Sequence, residues 1–355
     1  MLLTSAELAA TVDTLAAAQG PGGMIPWFEG GHADAWNHVQ AAMALTAGGR
    51  REEADRAFAW LAATQRPDGA WHQYYRGDGS VEVALLDANV TAYVACGLWH
   101  HHAATGDRSL LEGTWPMLEA AMGFVLGLAR PSGEIAWARH PDGTPWSFAL
   151  LTASASTYRS LRSALRIAGA LGRERPAWAA AARRLRRAVA EERPGTFCPK
   201  DRWSMDWYYP VLAGVVRGPA ARRRLARDRD RFALGGLGIR CVADQPWVTA
   251  AETAECAMAH ALAGDEATAR ALLGSTRRLR HPDGSYFTGD VHPGGTHFPG
   301  GERSTYSAAT VVLAHDLLAS PSSPTRRLLV EASPSLVEPV PAPALVAARP
   351  RGPGA

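Results

Sequence analysis

Acidic residues with aromatic or amide neighbours recur at widely separated places in the chain. Asp206 precedes three aromatic residues in SMDWYYP, and Glu252 stands in PWVTAAETAE. Two carboxyl groups facing one substrate can act as general acid and general base, and neighbouring aromatic rings suit the C–H faces of sugars. The catalytic candidates are Asp206, Glu252, Glu302 and Asp87.

A wider set of polar and aromatic residues accompanies these acids. Each acid also has a structural alternative, because Asp is a favoured helix N-cap and buried glutamates can pair with arginines such as Arg202, Arg240 and Arg303. Glu252 and Glu255 are three residues apart, so they share one helical face. The candidate substrate-binding residues are Asp34, Trp36, His38, Trp71, Tyr75, Asn89, Trp137, Trp146, Trp207, Tyr208, Trp247, Glu255, Arg303 and Tyr306.

Three consecutive histidines, His100 to His102, raise the possibility of a metal site. Consecutive side chains on a helix point in different directions, so they cannot all bind one ion, and histidine is also favourable at a helix C-terminus. The four cysteines form no CxxC pair, and the sequence contains no phosphate-binding loop, nucleophile elbow or HExxH motif. The sequence therefore predicts no metal, no cofactor and reduced thiols.

Composition is that of a folded protein, with 355 residues of which 47% are hydrophobic. No apolar run could span a bilayer, and the N-terminus carries Glu7 and Asp13 in place of a basic leader, which predicts a cytoplasmic protein. Arginine clusters at 183–187, 222–231 and 277–280 could form a nucleic-acid surface. Interleaved acids favour solvated helix faces, so we expect no nucleic-acid partner and leave the oligomeric state open.

Helical periodicity predicts twelve helices in six hairpins. First members of each pair, such as residues 176–191, have one charged face and should be outer helices, whereas second members are apolar nearly all round. Two concentric rings of six helices make an all-α (α/α)6 toroid. The predicted helices span residues 5–19, 34–47, 52–65, 84–105, 108–129, 147–171, 176–191, 206–217, 219–232, 247–263, 265–279 and 303–319.

The loops indicate where a site would form. Links from an inner to the next outer helix are short, whereas outer-to-inner links are long and rich in Trp, Tyr, His, Asp and Gly. A turn such as QRPDGAW (65–71) ends several outer helices, and all long loops should emerge at one end of the toroid. We assign residues 1–320 to the toroid and residues 321–355, rich in Pro, Ala and Ser, to a mostly disordered tail.

Several stretches resemble known families. GGHADAWNHVQAAMAL, PKDRWSMDWYYPVL, PWVTAAETAECA and FPGGERSTYSAA, within residues 20–318, resemble actinobacterial proteins commonly labelled prenyltransferases. AFAWLAATQRPDGAW resembles the repeat of terpene cyclases and protein prenyltransferases. DANVTAYVACGLWHHHAATGD with WPMLEAAMGFVL resembles six-hairpin glycosidases of the glucoamylase type. These superfamilies share the α/α toroid, so the resemblances agree on the fold and divide on the function.

Departures from each family pattern bear on the function. The Asp-x-Asp-Asp, Asp-Asp-x-x-Asp and Asp-x-Cys motifs of cyclases, isoprenoid synthases and protein prenyltransferases are absent. Where glucoamylase-type enzymes carry an acid after the fifth helix, Trp137 stands in GEIAWAR, and Glu134 could substitute only through a loop shift. Glu302 matches the opposing carboxylate of that resemblance.

The mixed acidic and aromatic loops favour a carbohydrate-active protein, an inverting glycoside hydrolase that binds a glycan at the toroid mouth. A prenyltransferase-like or terpene-cyclase-like enzyme and a non-catalytic ligand-binding toroid remain as alternatives. The hydrolase hypothesis predicts that Asp206, Glu252 and Glu302 converge on one cavity, because a toroid gathers the ends of its inner helices around one axis.

Overall fold

The computed structural model describes residues 2–330, and Met1 and residues 331–355 lie outside the described part. Within it, helices alternate between an outer and an inner ring. In chain order the helices are α1 Ser5–Ala18, α2 Ala35–Ala47, α3 Arg51–Thr64, α4 Ala88–Ala92, α5 Val94–Thr105, α6 Arg108–Leu126, α7 Leu151–Ala170, α8 Pro176–Glu191, α9 Ser204–Leu212, α10 Gly218–Arg227, α11 Arg229–Phe232, α12 Ala250–Leu262, α13 Glu266–Ser275, α14 Thr305–Ala319 and α15 Pro324–Val330.

Six helical segments close the inner ring: α2, α4 continued by α5, α7, α9, α12 and α14. Each packs on the next in that order, and α14 returns to pack on α2. The outer helices α1, α3, α6, α8, α10 and α13 each pack against inner helices. The expected all-α toroid of six hairpins is therefore confirmed.

Burial follows the sequence pattern that distinguishes the rings. On outer helix α8, Trp178, Leu185 and Val189 are buried, while Arg183 and Arg187 on the other face are not. Inner helices α2, α7 and α14 are buried around most of their circumference. Their small residues allow neighbours to approach closely from both sides, as expected for the middle layer of a toroid.

The long outer-to-inner loops contain short strands, which helical periodicity did not predict. The strands are β1 Tyr74–Tyr75, β2 Val81–Val83, β3 Leu86–Asp87, β4 Ala138–Arg139, β5 Ala233–Leu234, β6 Gly238–Arg240, β7 Trp247–Thr249, β8 Phe287–Val291 and β9 Thr296–Arg303. They form three antiparallel sheets: the pairs β1–β2 and β3–β4, and a five-stranded sheet in the order β5-β6-β7-β8-β9.

The repeated turn with Pro and Gly holds several outer helices against the next one. Gly69 has a φ of +87°, and a Cβ there would lie 2.2 Å from the carbonyl oxygen of Ala120 on α6. Gly23 approaches the Arg56 carbonyl of α3 in the same way, at 2.3 Å. Only glycine combines this backbone conformation with such close contact. The turn in QRPDGAW therefore fixes the spacing of the outer ring as well as reversing the chain.

The C-terminal helix α15 lies within the stretch that the sequence assigns to the tail. It packs against α5 and α14, and Thr325, Leu328 and Leu329 are buried. His100 contacts the Thr325 hydroxyl at 3.1 Å, and Arg166 donates to the Leu328 carbonyl at 3.0 Å. Residues 324–330 thus belong to the packed body because their apolar side chains find a complementary surface, and the rest of the expected tail lies outside the described residues.

Two further expectations from the sequence concern membrane-spanning helices and the state of the cysteines, and both can be compared with the described residues. None of its helices is long and apolar enough to cross a membrane. Cys96, Cys198, Cys241 and Cys256 are all free thiols.

Candidate active site

A central cavity of about 390 Å³ opens where the inner helices begin. All six segments of the inner ring contribute to its lining from their first turn or the loop residue before it. The residues around it are Trp27, Asp34, Trp36, Asn37, Gln73, Tyr74, Asp87, Asn89, Val90, Trp137, Leu150, Thr152, Ala153, Lys200, Trp203, Met205, Asp206, Tyr209, Glu252 and Tyr306.

Four acidic residues line this central cavity, each at the start of a different inner helix. Asp34 precedes α2, Asp87 precedes α4, Asp206 lies on α9 and Glu252 on α12. Segments three places apart in a ring of six face each other. Asp87 therefore lies across the cavity from Glu252, and Asp34 lies across from Asp206.

Asp34 and Asp87 are helix N-caps as well as cavity residues. Asp34 accepts from the Asn37 amide nitrogen at 2.8 Å and from the Asn37 side chain at 2.5 Å. One oxygen of Asp87, Oδ1, accepts from the amides of Asn89 and Val90, at 2.7 and 2.9 Å. A residue can be both an N-cap and a site residue here, because an N-cap places its carboxylate at the helix end that faces the cavity.

The other two acids are held differently. Asp206 accepts from the Thr152 hydroxyl at 2.5 Å and from the Thr152 amide at 3.2 Å, both through Oδ1. Glu252 lies in the first turn of α12, half-buried, with the Thr249 side chain beside it. Asp206 is thus fixed in orientation by the neighbouring helix α7, while Glu252 reaches into the cavity from its own helix.

Burial dominates the electrostatics of these acids. Loss of solvent raises the pKa of Asp34, Asp206 and Glu252 above their ordinary values. It raises the pKa of Asp87 to about 6, with a smaller contribution from the neighbouring Asp34 carboxylate and an opposing one from hydrogen bonds that include Trp137. A carboxyl with such a pKa carries a proton in a useful fraction of molecules near neutrality.

Polar atoms in the cavity wall lack partners among residues 2–330. They are the indole nitrogens of Trp27 and Trp36 and the side-chain oxygens of Asn37 and Asn89. Buried donors and acceptors are normally satisfied, so these atoms are suited to hydrogen bonds with a ligand. Apolar groups, Val90, Leu150, Ala153 and Met205, share the same lining.

A buried polar network lies behind the cavity floor. Glu255, fully buried on α12, accepts from the hydroxyls of Tyr208 at 2.6 Å and Tyr209 at 3.1 Å. Arg159 donates to the Tyr93 hydroxyl at 3.1 Å and lies over the Tyr209 ring. Glu255 is therefore one step removed from the cavity, which it contacts through Tyr209.

Comparison with known proteins agrees with this geometry. No profile of a known protein family matches the chain. The chain is 49% identical over 317 residues to the MMP endo-(1,4)-3-O-methyl-alpha-D-mannosidase of Mycolicibacterium hassiacum, an alignment covering 89% of this chain and 87% of that protein. The chain belongs to this endo-mannosidase family. It is accordingly a carbohydrate-active hydrolase.

Solved structures support the fold of this endo-mannosidase family member. The structure of a wild-type glycosidase has a TM-score of 0.70 at 17% identity, with the match covering 89% of this chain and 98% of that one. The GH63 mannosylglycerate hydrolase of Thermus thermophilus, in complex with Tris and D-glycerate, has a TM-score of 0.68 at 15% identity, covering 86% and 99%. The six-hairpin glycosidase resemblance is supported, whereas the prenyltransferase label is not.

Eight of the candidate site residues from the sequence line the central cavity, and the other candidates do not. The eight are Asp34, Trp36, Asp87, Asn89, Trp137, Asp206, Glu252 and Tyr306. Several of the others are core residues. His38 accepts from the Ile25 amide through Nδ1 and contacts the Ala57 carbonyl through Nε2, and burial lowers its pKa to about 4. The Trp71 indole donates to the Leu61 carbonyl at 3.0 Å. Tyr75 is buried and accepts from the His72 amide.

Other aromatic candidates pack beside the cavity. Trp146 stacks on His140, and Trp247 stacks on Phe298 within the five-stranded sheet. Trp207 stacks on Phe232 and donates to the Arg224 carbonyl, while Tyr208 faces Glu255. In each case a neighbouring side chain or carbonyl, within the same loop for Trp146 and from another element for the rest, contacts the ring that the sequence alone would place at the mouth.

The acids suggested by the glucoamylase resemblance also lie elsewhere. Glu302 does not line the cavity of Asp206 and Glu252, because it belongs to β9 and accepts from the Thr288 hydroxyl of β8 at 2.7 Å. Arg303 beside it pairs with Asp283 at 2.6 Å. Glu134 is buried and accepts from Ser132, so no loop shift brings it to the position that Trp137 occupies in the cavity wall.

Sequence reasoning missed several lining residues. Trp27, Tyr74, Lys200, Trp203 and Tyr209 were not among the candidates, although they line the cavity. Trp203 directly precedes the inner helix α9, as Asp34 and Asp87 precede α2 and α4, whereas Trp27 lies earlier in its loop. For Trp203, this position before an inner helix was the signal that the sequence offered.

Proposed function

We propose that this chain hydrolyses internal (1,4) linkages of 3-O-methylated α-mannosides with inversion, using Asp87 as general acid and Glu252 as general base. The observation that carries the proposal is their location on opposite sides of one cavity. Inverting hydrolysis needs a proton donor at the glycosidic oxygen and, on the other face of the sugar, a base that activates water.

The raised pKa of Asp87 suits its role as the proton donor to the glycosidic oxygen. At about 6, the pKa leaves the carboxyl protonated often enough to donate, and two backbone amides hold its Oδ1 in place. Bond cleavage transfers this proton to the departing sugar oxygen. Glu252, in its ionised form, accepts a proton from the attacking water as the new C–O bond forms.

The cavity walls support the methylated substrate that the relative's name states. Unpaired polar atoms of Trp27, Trp36 and Asn89 can bind sugar hydroxyls and ring oxygens. Val90 and Met205 offer apolar surface to methyl ethers, which cannot donate hydrogen bonds. A mixed wall of this kind suits a sugar of which only some hydroxyls are methylated.

The test is hydrolysis of a 3-O-methylated α-(1,4)-mannan oligosaccharide, followed by reducing-end release and by NMR of the first anomer formed. We expect the β anomer first. Glu252→Gln and Asp87→Asn should each lower turnover by about 10²-fold or more with normal folding.

Glu302→Gln is the matched control, because it makes the same chemical change outside the central cavity. It should retain the wild-type rate. Saturable binding without any reducing-end release would replace the hydrolase by a binding protein, and first release of the α anomer would exclude inversion.

A further inference from the structure

A second cavity, of about 440 Å³, adjoins the central one. It lies between the loop of residues 192–201 and helices α9 to α11, and we call it the side cavity. Lys200 and Asp206 line both cavities. These two residues therefore form part of the wall of both cavities, on the α7–α9 side of the ring.

Charges in the side cavity are mostly paired with each other. Arg224 binds Glu192, and Arg227 binds Asp228 at 2.7 Å. Arg231 binds Asp201 at 3.2 Å. Such pairs present hydrogen-bond donors and acceptors with little net charge, which suits a neutral, hydroxyl-rich ligand better than an ion.

Unlike these arginines, Lys200 is not paired with a carboxylate among the described residues. Among residues 2–330 no carboxylate lies within ion-pair distance of its ammonium, whose contact is with the Trp203 ring, 5.8 Å from the centroid. Trp203 itself is 40% exposed, an unusual exposure for a tryptophan, and it lines the central cavity. A donor without a carboxylate partner and a partly exposed indole, whose ring centroid also lies 5.5 Å from the Arg202 guanidinium carbon, thus stand together beside both cavities.

We propose that the side cavity is a subsite for sugar units beyond the bond that is cut, reached over Trp203 and Lys200. This inference rests on the proposed function, since an enzyme that cuts within a chain must hold sugar units on both sides of the cleavage point. The aromatic face stacks on a sugar ring, and the ammonium donates to a hydroxyl or ether oxygen. The ligand is the neutral mannoside chain itself.

The first experiment compares long and short substrates. The ratio of kcat/KM for an oligosaccharide of several 3-O-methylated units to kcat/KM for an aryl 3-O-methyl-α-mannoside reports on distant subsites. Lys200→Met should lower this ratio about tenfold, the effect of losing a hydrogen bond from a charged donor. Arg187→Met is the matched control, because Arg187 is exposed on the outer helix α8 and lines neither cavity.

The second experiment uses the fact that Lys200 is the only lysine in the chain. Reductive methylation, read by peptide mass, reports on this one side chain separately from the terminal amine. In the Glu252→Gln protein, the long oligosaccharide should slow methylation of Lys200, and a methyl 3-O-methyl-α-mannoside should not.

The outcomes separate this inference from the one it rests on. If no mannoside is cleaved, the proposed function fails and the subsite falls with it. If mannosides are cleaved while Lys200→Met and the control Arg187→Met give the same ratio, the hydrolase stands and the subsite alone is refuted. Equal protection of Lys200 by both ligands would also refute it.

Discussion

The Tyr208 hydroxyl donates to the carboxylate of Glu255 at 2.6 Å, one helical turn beyond Glu252 on α12. The two glutamates share a face of the helix, yet only Glu252 lines the central cavity. Three residues advance a helix by about 4.5 Å, enough to carry the second side chain below the cavity floor. The two positions therefore have separable effects, on catalysis and on stability.

Glu255→Gln should flatten the pH dependence of stability. Burial raises the pKa of Glu255 to about 7, so the folded protein binds this proton more tightly than the unfolded chain. Its contribution to stability is present below the unfolded pKa and is lost as pH rises through about 7. The wild type should lose about 2–3 kcal/mol relative to Glu255→Gln between pH 5 and pH 8. Denaturant unfolding at both pH values measures this, and a pH-independent difference would contradict it.

The pH profile of hydrolysis should report on Asp87. If its protonated form is the proton donor, kcat/KM should fall about tenfold per unit above roughly pH 6. Burial is the main cause of this raised pKa, and the Asp34 carboxylate adds to it. Asp34→Asn should therefore shift the alkaline limb toward lower pH. A limb that stays in place would mean that another group sets it.

Trp36 and Trp71 should respond differently to the same substitution. Trp36→Phe removes an indole N–H that has no partner within the described residues and lines the cavity, so KM should rise, and stability should fall less than in Trp71→Phe because no hydrogen bond is broken. Trp71→Phe empties core volume and breaks the bond to Leu61, costing about 2–3 kcal/mol with KM unchanged. Steady-state kinetics and thermal unfolding of both variants provide the comparison.

The sequence predicted the ring of helices better than it predicted which loop side chains line the central cavity. Periodicity separates inner from outer helices because burial around most of the circumference leaves α2 without Asp, Glu, Lys or Arg, and α14 with Asp316 as its one such residue. The first turn of an inner helix must face the mouth, so Asp34, Asp87 and Glu252 could be found.

Loop residues were harder to assign because strand pairing decides which side chains turn inward. Glu302 faces Thr288 because β9 pairs with β8 in a particular register. Trp71 lies in the core because its turn ends against α6, a long-range contact that local pattern does not encode.

Two C-terminal truncations should have different effects. Deleting residues 331–355 leaves every described contact of α15 intact, and thermal unfolding should be nearly unchanged. Deleting residues 321–355 also removes α15, whose Leu328 and Leu329 are 3% exposed. Each buried leucine contributes roughly 1.5–3 kcal/mol, so the shorter chain should lose about 3–5 kcal/mol. It also leaves the buried Nε2 of His100 without its Thr325 contact. Because α15 contacts His100 and Asp316 in the C-terminal halves of α5 and α14, whereas the cavity lies where the inner helices begin, folded molecules of the shorter chain should still cleave substrate at low temperature. Equal melting temperatures for the two truncated chains would show that α15 does not stabilise the toroid.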